Sequence, residues 1–350
     1  MTGKAGGEIL TAGEPKAPLR TVETGGALRA TLQSSRMILV MLIVLAVLVG
    51  IVCWNQPGFY SSINLQNIGK RVGIWAIFAI GGALPIIAAG IDLSVGSIIG
   101  LIAVLLPMCI VDHGLSVWQA VPLVLAIGAA IGVAHGLLIA RLNIQPFIVT
   151  LAGLLIYRGV ARTLTEDRTK GFGIDHEAFR QLAIGAYYEI PIALFVMLGI
   201  ALVVGVFLHG TIWGRHLYAL GQNEEAARYS GIRVERLKIV AYTLSALLAT
   251  AAGILVSLDV NGVQPSDTGK SYELYGIAAA VLGGCSLRGG EGTVVGVIVG
   301  TVVIVILRNL INLTQISTYI EDAMIGAVIL GMVVIDEVIR RRAARRTTAA

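Results

Sequence analysis

The side chains able to do chemistry sit in a few polar stretches that interrupt an otherwise apolar chain. Gly90-Ile91-Asp92-Leu93-Ser94-Val95-Gly96-Ser97 places one carboxylate and two hydroxyls between apolar runs. A charge at membrane depth is costly and is a functional-site hypothesis by default. The plainer reading is that Asp92 or Ser94 caps a helix starting near Val95, with the glycines making the turn. The two readings are compatible, because a capped break also exposes polar groups to a passing solute. Leu142-Asn143-Ile144-Gln145-Pro146-Phe147-Ile148-Val149-Thr150-Leu151 starts a helix with Pro146 in its first turn, where the missing N–H costs nothing. Asn143, Gln145 and Thr150 either face a hydrophilic path or form a loop plus a satisfied hydroxyl.

Other chemistries are excluded or left without support. Leu282–Gly292 is a glycine-dense turn of a kind that can cradle phosphate, but no Lys-Ser or Lys-Thr follows it and no strand precedes it. Gly269-Lys270-Ser271 resembles the end of a phosphate-binding loop, yet the required first glycine falls on Gln264. A chain this apolar has no room for the parallel sheet of a nucleotide domain, so it does not hydrolyse ATP itself. His135, beside a glycine ladder, reads as a hydrogen-bonded packing residue rather than a proton relay, and Arg158 and Arg162 are near enough to a segment end to snorkel. Cys53, Cys109 and Cys285 lie in or beside apolar runs, without disulfide or metal-site spacing. No catalytic or metal-ligating set is expected, and the Asn312-Leu313-Thr314 sequon is discounted because it falls at a helix edge.

The elements that carry these stretches are membrane helices. Of 350 residues, 56% are hydrophobic and 13% charged, against about 25% charged in soluble domains. With a mean hydropathy of +0.84, the composition predicts an all-α, polytopic membrane protein. Runs long enough to cross a bilayer, about 20 residues, fall near 37–54, 72–90, 95–111, 117–140, 147–164, 190–209, 238–258, 273–285, 293–312 and 319–338. That makes about ten segments. The 95–111 and 273–285 runs are short or glycine-interrupted and read as broken or partly re-entrant. Residues 1–36 form a basic N-terminal tail expected to be disordered, 37–338 the membrane domain, and 339–350 a basic C-terminal tail.

Lys and Arg collect in both tails and in the polar loop Gly214–Lys238, which puts both termini and that loop in the cytoplasm. Lys70, Arg71, Arg168, Lys170, Arg180 and Lys270 then land outside, partly offset by Glu166, Asp167, Asp175, Glu177 and Glu189. The net charge of +5 reflects this topology rather than a nucleic-acid partner. Within Gly214–Lys238, Asn223 suits an N-cap, Glu224 and Glu225 suit a first turn, and Gly231 suits a left-handed stop, so a helix of two turns is expected at the membrane surface. A weak internal repeat appears at a spacing of about 165–170 residues. Gly128, Gly132 and Gly136 echo Gly292, Gly296 and Gly300; Leu142–Gln145 echoes Ile311–Gln315; and Ile91-Asp92 echoes Leu258-Asp259. An inverted repeat is therefore a possible organisation, with a substrate path at the repeat interface.

Four stretches, in family order, make the chain resemble the permease subunits of ribose- and other sugar-type ABC importers. They are Gly90–Ser97; Pro146–Leu151; Gly214-Arg215 through Ala219-Leu220-Gly221, Asn223-Glu224 and Ala226-Ala227-Arg228 to Ser230-Gly231-Ile232; and Leu282-Gly283-Gly284 with Ser286-Leu287, Gly289-Gly290 and Gly292. Each is weak singly, and together they are specific. Cys285, where the family usually has a small hydroxyl residue, and the long basic tail depart from the pattern and leave the sugar open. The resemblance implies a vitamin B12-importer-like (type II) permease core in the bacterial inner membrane, paired with a second copy or a sister permease. It implies two ATPase subunits that bind ATP and Mg, this chain holding no cofactor, and an extracytoplasmic sugar-binding protein. Asn223, Glu224, Glu225, Ala226, Ala227 and Gly231 would couple to the ATPase. Asp92, Ser94, Ser97, Asn143, Gln145, Phe147 and Thr150 would lie along the path of a monosaccharide or small polyol. The alternative is an ion- or proton-coupled secondary transporter using Asp92.

Overall fold

A computed structural model describes residues 57–174 and 176–313, with isolated positions 50, 323, 326, 327, 330 and 331. Apart from those positions, both tails and the segments expected at 37–54 and 319–338 lie outside the described residues. The helices are α1 (Ser62–Ile87), α2 (Val95–Pro107), α3 (Val117–Arg141), α4 (Pro146–Thr165), α5 (Glu177–Ile184), α6 (Ile192–Gly205), α7 (Ile212–Gln222), α8 (Glu224–Tyr229), α9 (Val234–Asp259), α10 (Tyr272–Leu282) and α11 (Val294–Leu313). Turns of π-helix, Met108–Asp112 and Val206–Gly210, extend α2 and α6. A two-residue antiparallel pair, Ala186–Tyr187 with Ile190–Pro191, precedes α6. Among the described residues seven helices are long and apolar enough to cross a membrane: α1, α2 with its extension, α3, α4, α6 with its extension, α9 and α11. The protein is therefore an all-α, multi-pass membrane protein. The run at 95–111, doubtful in the sequence, is a full-length helix once the π turn is added.

Two long helices carry the core. Helix α1 begins at Ser61, whose Oγ accepts from the Asn64 amide at 3.3 Å, and every residue from Val72 to Ile87 is buried. An apolar membrane helix can face either lipid or protein, and this stretch faces protein. Its neighbours are α6, α9, α10 and α11, whereas α9 packs against α1, α2 and α3. Glycines make the second contact close: a Cβ on Gly132 would meet Thr243 Cα at 2.6 Å, and one on Gly136 would meet Ile239 Cα at 2.5 Å. Helices α1 and α9 run antiparallel. Lys70 pairs with Asp259 at 2.7 Å, Gly81 lies against Ser245 and Leu248, and Gly90 lies against Tyr242.

Two series of helices share a similar order of lengths and an antiparallel relation. The series α1, α2, α3 has lengths of 26, 13 and 25 residues, and α9, α10, α11 has 26, 11 and 20. The first helix of each series packs on the second and third of the other, in opposite directions. The individual echoes in sequence do not share positions. Asp259 ends α9 while Asp92 follows the end of α1, Asn143 lies in a loop while Asn312 is helical, and Gly292 lies in a turn while Gly128 lies within α3.

Helix α10 does not start at the surface. Its first turn stacks on α1 at Trp75 and Phe78, with Trp75–Tyr275 centroids 5.3 Å apart and Phe78–Tyr272 centroids 5.4 Å apart. Trp75 lies about 7.5 Å further along α1 than the Lys70–Asp259 pair, at 1.5 Å per residue. The chain from Val260 to Ser271 therefore turns back inward, and Gly269 reaches Gly96 on α2. Arg158 holds this segment by donating from Nη1 to the carbonyls of Pro265 and Thr268. The short run at 273–285 is re-entrant in this sense. Arg158 does not snorkel: its charge is spent on backbone carbonyls that would otherwise lack donors. Arg162, by contrast, pairs with Asp167 at the helix end.

Candidate functional site

The break between α1 and α2 is a buried polar knot. Pro85 lies in the last turn of α1, Ala89 follows with φ +60°, and the chain re-enters helix at Val95. Asp92 is 2% exposed. Its Oδ1 accepts from the Ser94 amide at 3.0 Å and from Ser94 Oγ at 2.6 Å, while Oδ2 accepts from Ser245 Oγ at 2.8 Å. Three donors from Ser94 and Ser245 satisfy both carboxylate oxygens at the start of α2. The expected cap is thus corrected. Ser94 occupies the N-cap position but makes no side-chain cap bond, and Asp92 folds an Asx turn onto the amide two residues on.

Ser97 Oγ donates to the Ser94 carbonyl at 2.8 Å. Thr150 Oγ1 donates to the carbonyls of Pro146 at 2.9 Å and Ile91 at 3.2 Å, which ties α4 to the break. Asp92, Ser94, Ser97 and Thr150 are therefore brought together, all buried and bonded within the chain. Asn143, Gln145 and Phe147 are not part of this group. They are exposed on the α3–α4 turn, where Asn143 has φ +53° and Gln145 precedes Pro146 at the first helical position. Ser245 of α9 completes the knot and was not foreseen, because a hydroxyl on an apolar helix carries no spacing signal; Tyr242 Oη lies beside Gly90, buried and without a hydrogen-bond partner among the described residues. His135 is buried against Tyr157, its Nε2 2.7 Å from Tyr157 Oη and its Nδ1 without a hydrogen-bond partner among the described residues.

At the same end of the bundle α7 and α8 form an exposed arm. Thr211 Oγ1 accepts from the Gly214 amide at 3.2 Å to open α7. Asn223 ends α7 and opens α8, its Oδ1 accepting from the Ala226 amide at 2.9 Å. Gly231 at φ +81° stops the helix in a conformation that side chains disfavour. Glu224 turns back to Lys238 of α9 at 2.8 Å and to Arg228 at 3.3 Å, and Arg228 also reaches Glu235 at 3.0 Å. Burial pushes the Glu224 carboxyl up, but the Lys238 bond and charge, followed by those of Arg228, outweigh it and hold the group below the usual carboxylate range. Ala227 is buried, whereas Glu225, Ala226 and Tyr229 face outward, Tyr229 being 90% exposed. The six predicted arm residues thus divide into those that seat the helix and those it presents, and Tyr229 joins the second group.

The glycine turn after α10 fastens the arm to the break. Tyr218 Oη of α7 donates to the Gly292 carbonyl at 2.7 Å, Gln222 Nε2 to the Gly290 carbonyl at 3.2 Å, and the Gly290 amide to the Ile87 carbonyl at 2.9 Å. Gly290 has φ +73° and packs against Gln222, so backbone can pass where a side chain would not fit.

Comparison with known proteins fits a helical membrane bundle. A family model described as "Branched-chain amino acid transport system / permease component" matches residues 64–333. The chain is a permease of this family. The permease is 40% identical over 297 residues to the ribose import permease protein RbsC of Escherichia coli K12, covering 84% of this chain and 92% of that one. It is 33% identical over 307 residues to the L-arabinose transport system permease protein AraH of the same strain, covering 88% and 92%. It is 34% identical over 279 residues to the fructose import permease protein FruF of Bifidobacterium longum, covering 79% and 78%. No solved structure matches. The permease is a transport subunit by family.

Proposed function

We propose that the permease forms the membrane pathway of an ABC importer for a neutral monosaccharide, ribose or another pentose, hexose or small polyol. In this reading it sits in the bacterial inner membrane with the arm and both termini in the cytoplasm, and it pairs with a second copy or a sister permease. A separate ATPase, binding ATP and Mg, drives it, and an extracytoplasmic binding protein delivers the sugar. The observation that carries the reading is α8 itself. It is a capped, surface helix with Glu225, Ala226 and Tyr229 facing outward, and it continues from α7, which bonds the glycine turn through Tyr218 and Gln222 while the Gly290 amide of that turn bonds the end of α1. A push on α8 reaches α1 through three hydrogen bonds, which is how a neighbour's closure would tilt membrane helices. The three relatives, named for ribose, arabinose and fructose, support the substrate class.

The rival, a gradient-driven transporter working through Asp92, is weakened by the bonding of both its carboxylate oxygens to hydroxyl and amide donors inside the chain. The test is reconstitution in liposomes with the ATPase and binding protein encoded beside it. The expected result is accumulation of one of the named sugars only when ATP and the binding protein are both present. Accumulation by the permease alone under an ion gradient would overturn the reading.

A further inference from the structure

We propose that the cavity between the first three turns of α1 and the last turns of α11 is the subsite where the sugar first meets the permease. This rests on the importer reading above. The cavity holds about 310 Å³, within the range of small-ligand pockets, and is lined by Asn64, Asn67 and Arg71 of α1 with Asn309 and Asn312 of α11. It opens at the end of the bundle opposite the arm, near Lys70 and Asp259, which is where a delivered solute would arrive. Its chemistry is that of a polyol site, since each amide offers two donors and an acceptor, and a guanidinium adds a fork of donors without demanding a carboxylate.

The state of these groups matters as much as their type. Asn64 and Asn309 are bonded to one another, at 2.7 and 3.2 Å, and so are fixed in orientation. The side chains of Asn67, Arg71 and Asn312 make no hydrogen bond to any described residue and are exposed, which leaves their donors for a solute. The hydroxyls of Ser94, Ser97 and Thr150, in contrast, are buried and already donate to neighbours. A wall facing lipid tails would not carry four amides and a guanidinium. One helical turn further in, the space closes. Trp75, Phe78 and Tyr275 pack with Ala79, Ala279, Thr301 and Ile304 and leave no room for a water molecule. The Arg308 guanidinium lies 4.9 Å from the Trp75 ring centroid and 4.8 Å from that of Tyr275, and these contacts hold the floor rigid. The cavity is thus a vestibule with a closed aromatic floor.

The test measures uptake kinetics in the fully reconstituted importer, using whichever of ribose, L-arabinose or fructose the wild type accumulates. Asn67→Leu and Asn312→Leu are each expected to raise the KM for uptake about tenfold, and Asn67→Gln to restore most of it. Gln66→Leu, one position round the same turn and outside the cavity, is expected to change KM less than twofold. As a second measurement, an impermeant maleimide should label Asn312→Cys, and the transported sugar should slow that labelling at least threefold while an equal concentration of sucrose does not. Wild-type KM in both leucine variants, or labelling indifferent to the sugar, would overturn the vestibule and leave the importer reading standing. A wild type that accumulates no pentose, hexose or small polyol would overturn both.

Discussion

At the scale of residues, the carboxylate and hydroxyls at the break between α1 and α2 satisfy one another, while Tyr242 Oη beside them has no hydrogen-bond partner among the described residues. Asp92 draws its donors from its own turn and from α9, so the three form one unit. Asp92→Ala leaves Ser94 and Ser245 with unpaired buried donors and is expected to cost about 3 kcal/mol, while Ser245→Ala costs about 1. Thermal denaturation of the detergent-solubilised permease, run as a double-mutant cycle, checks that the pair is non-additive. Glu224 supplies a prediction against pH. Its folded pKa is depressed, so its contribution is fully present above the unfolded value, near 4.3, and is lost as pH falls through the lower folded value. The protection factors of the α8 amides, corrected for the intrinsic pH dependence of exchange, are therefore expected to hold from pH 8 to 5 and to fall as pH drops below the unfolded value, and a Glu224→Gln variant loses that acid step. Gly231 is a matter of backbone alone. Proline cannot adopt its φ of +81° and would break the α8–α9 turn, whereas Gly231→Ala is expected to cost about 1 kcal/mol and keep the fold.

At the scale of elements, the arm and its attachment separate cleanly. Glu225→Lys or Tyr229→Ala changes only the presented face of α8. Either is expected to reduce sugar uptake at least fivefold while the amount of folded permease stays the same, as read by transport and by size-exclusion chromatography of the same preparation. Tyr218→Phe instead removes the arm's bond to Gly292 and is expected to lower the uptake obtained per ATP hydrolysed, with partner binding intact. Elements were the level at which the sequence was most readable. Apolar runs located nearly every described span, and Asn223 with Gly231 marked the arm helix, because caps and membrane crossings depend on residues adjacent in the chain. The inward return of Val260–Ser271 was only half legible. Its shortened helix showed in the count of apolar residues, but the arginine that holds it lies more than a hundred positions earlier. The knot partner Ser245 and the amide cavity were illegible for the same reason, since each joins groups from helices far apart in the chain. The echoes read as a repeat do not share positions in the fold, whereas α1 and α9 have equal lengths, a match that no residue pattern announced.

At the scale of the whole molecule, the two series of helices are interlocked by the antiparallel contact of α1 with α9. The Lys70–Asp259 pair reports on that register. Lys70→Asp is expected to destabilise the permease by about 1 kcal/mol, and the swap Lys70→Asp with Asp259→Lys to recover most of it, again by thermal denaturation. The same interlock bears on how the protein is made. When the ribosome has delivered α1, α2 and α3 to the bilayer, the long helix of that half has none of α9, α10 or α11 to enclose it, and the partners that bury Val72–Ile87 are still to be translated. The first half is then an unfinished assembly held in lipid, and its compaction waits for the last third of the chain. Chain termination before Val234 would leave a product for membrane quality control rather than a stable half-permease, and the halves synthesised as separate polypeptides would reach their mature form only in each other's company.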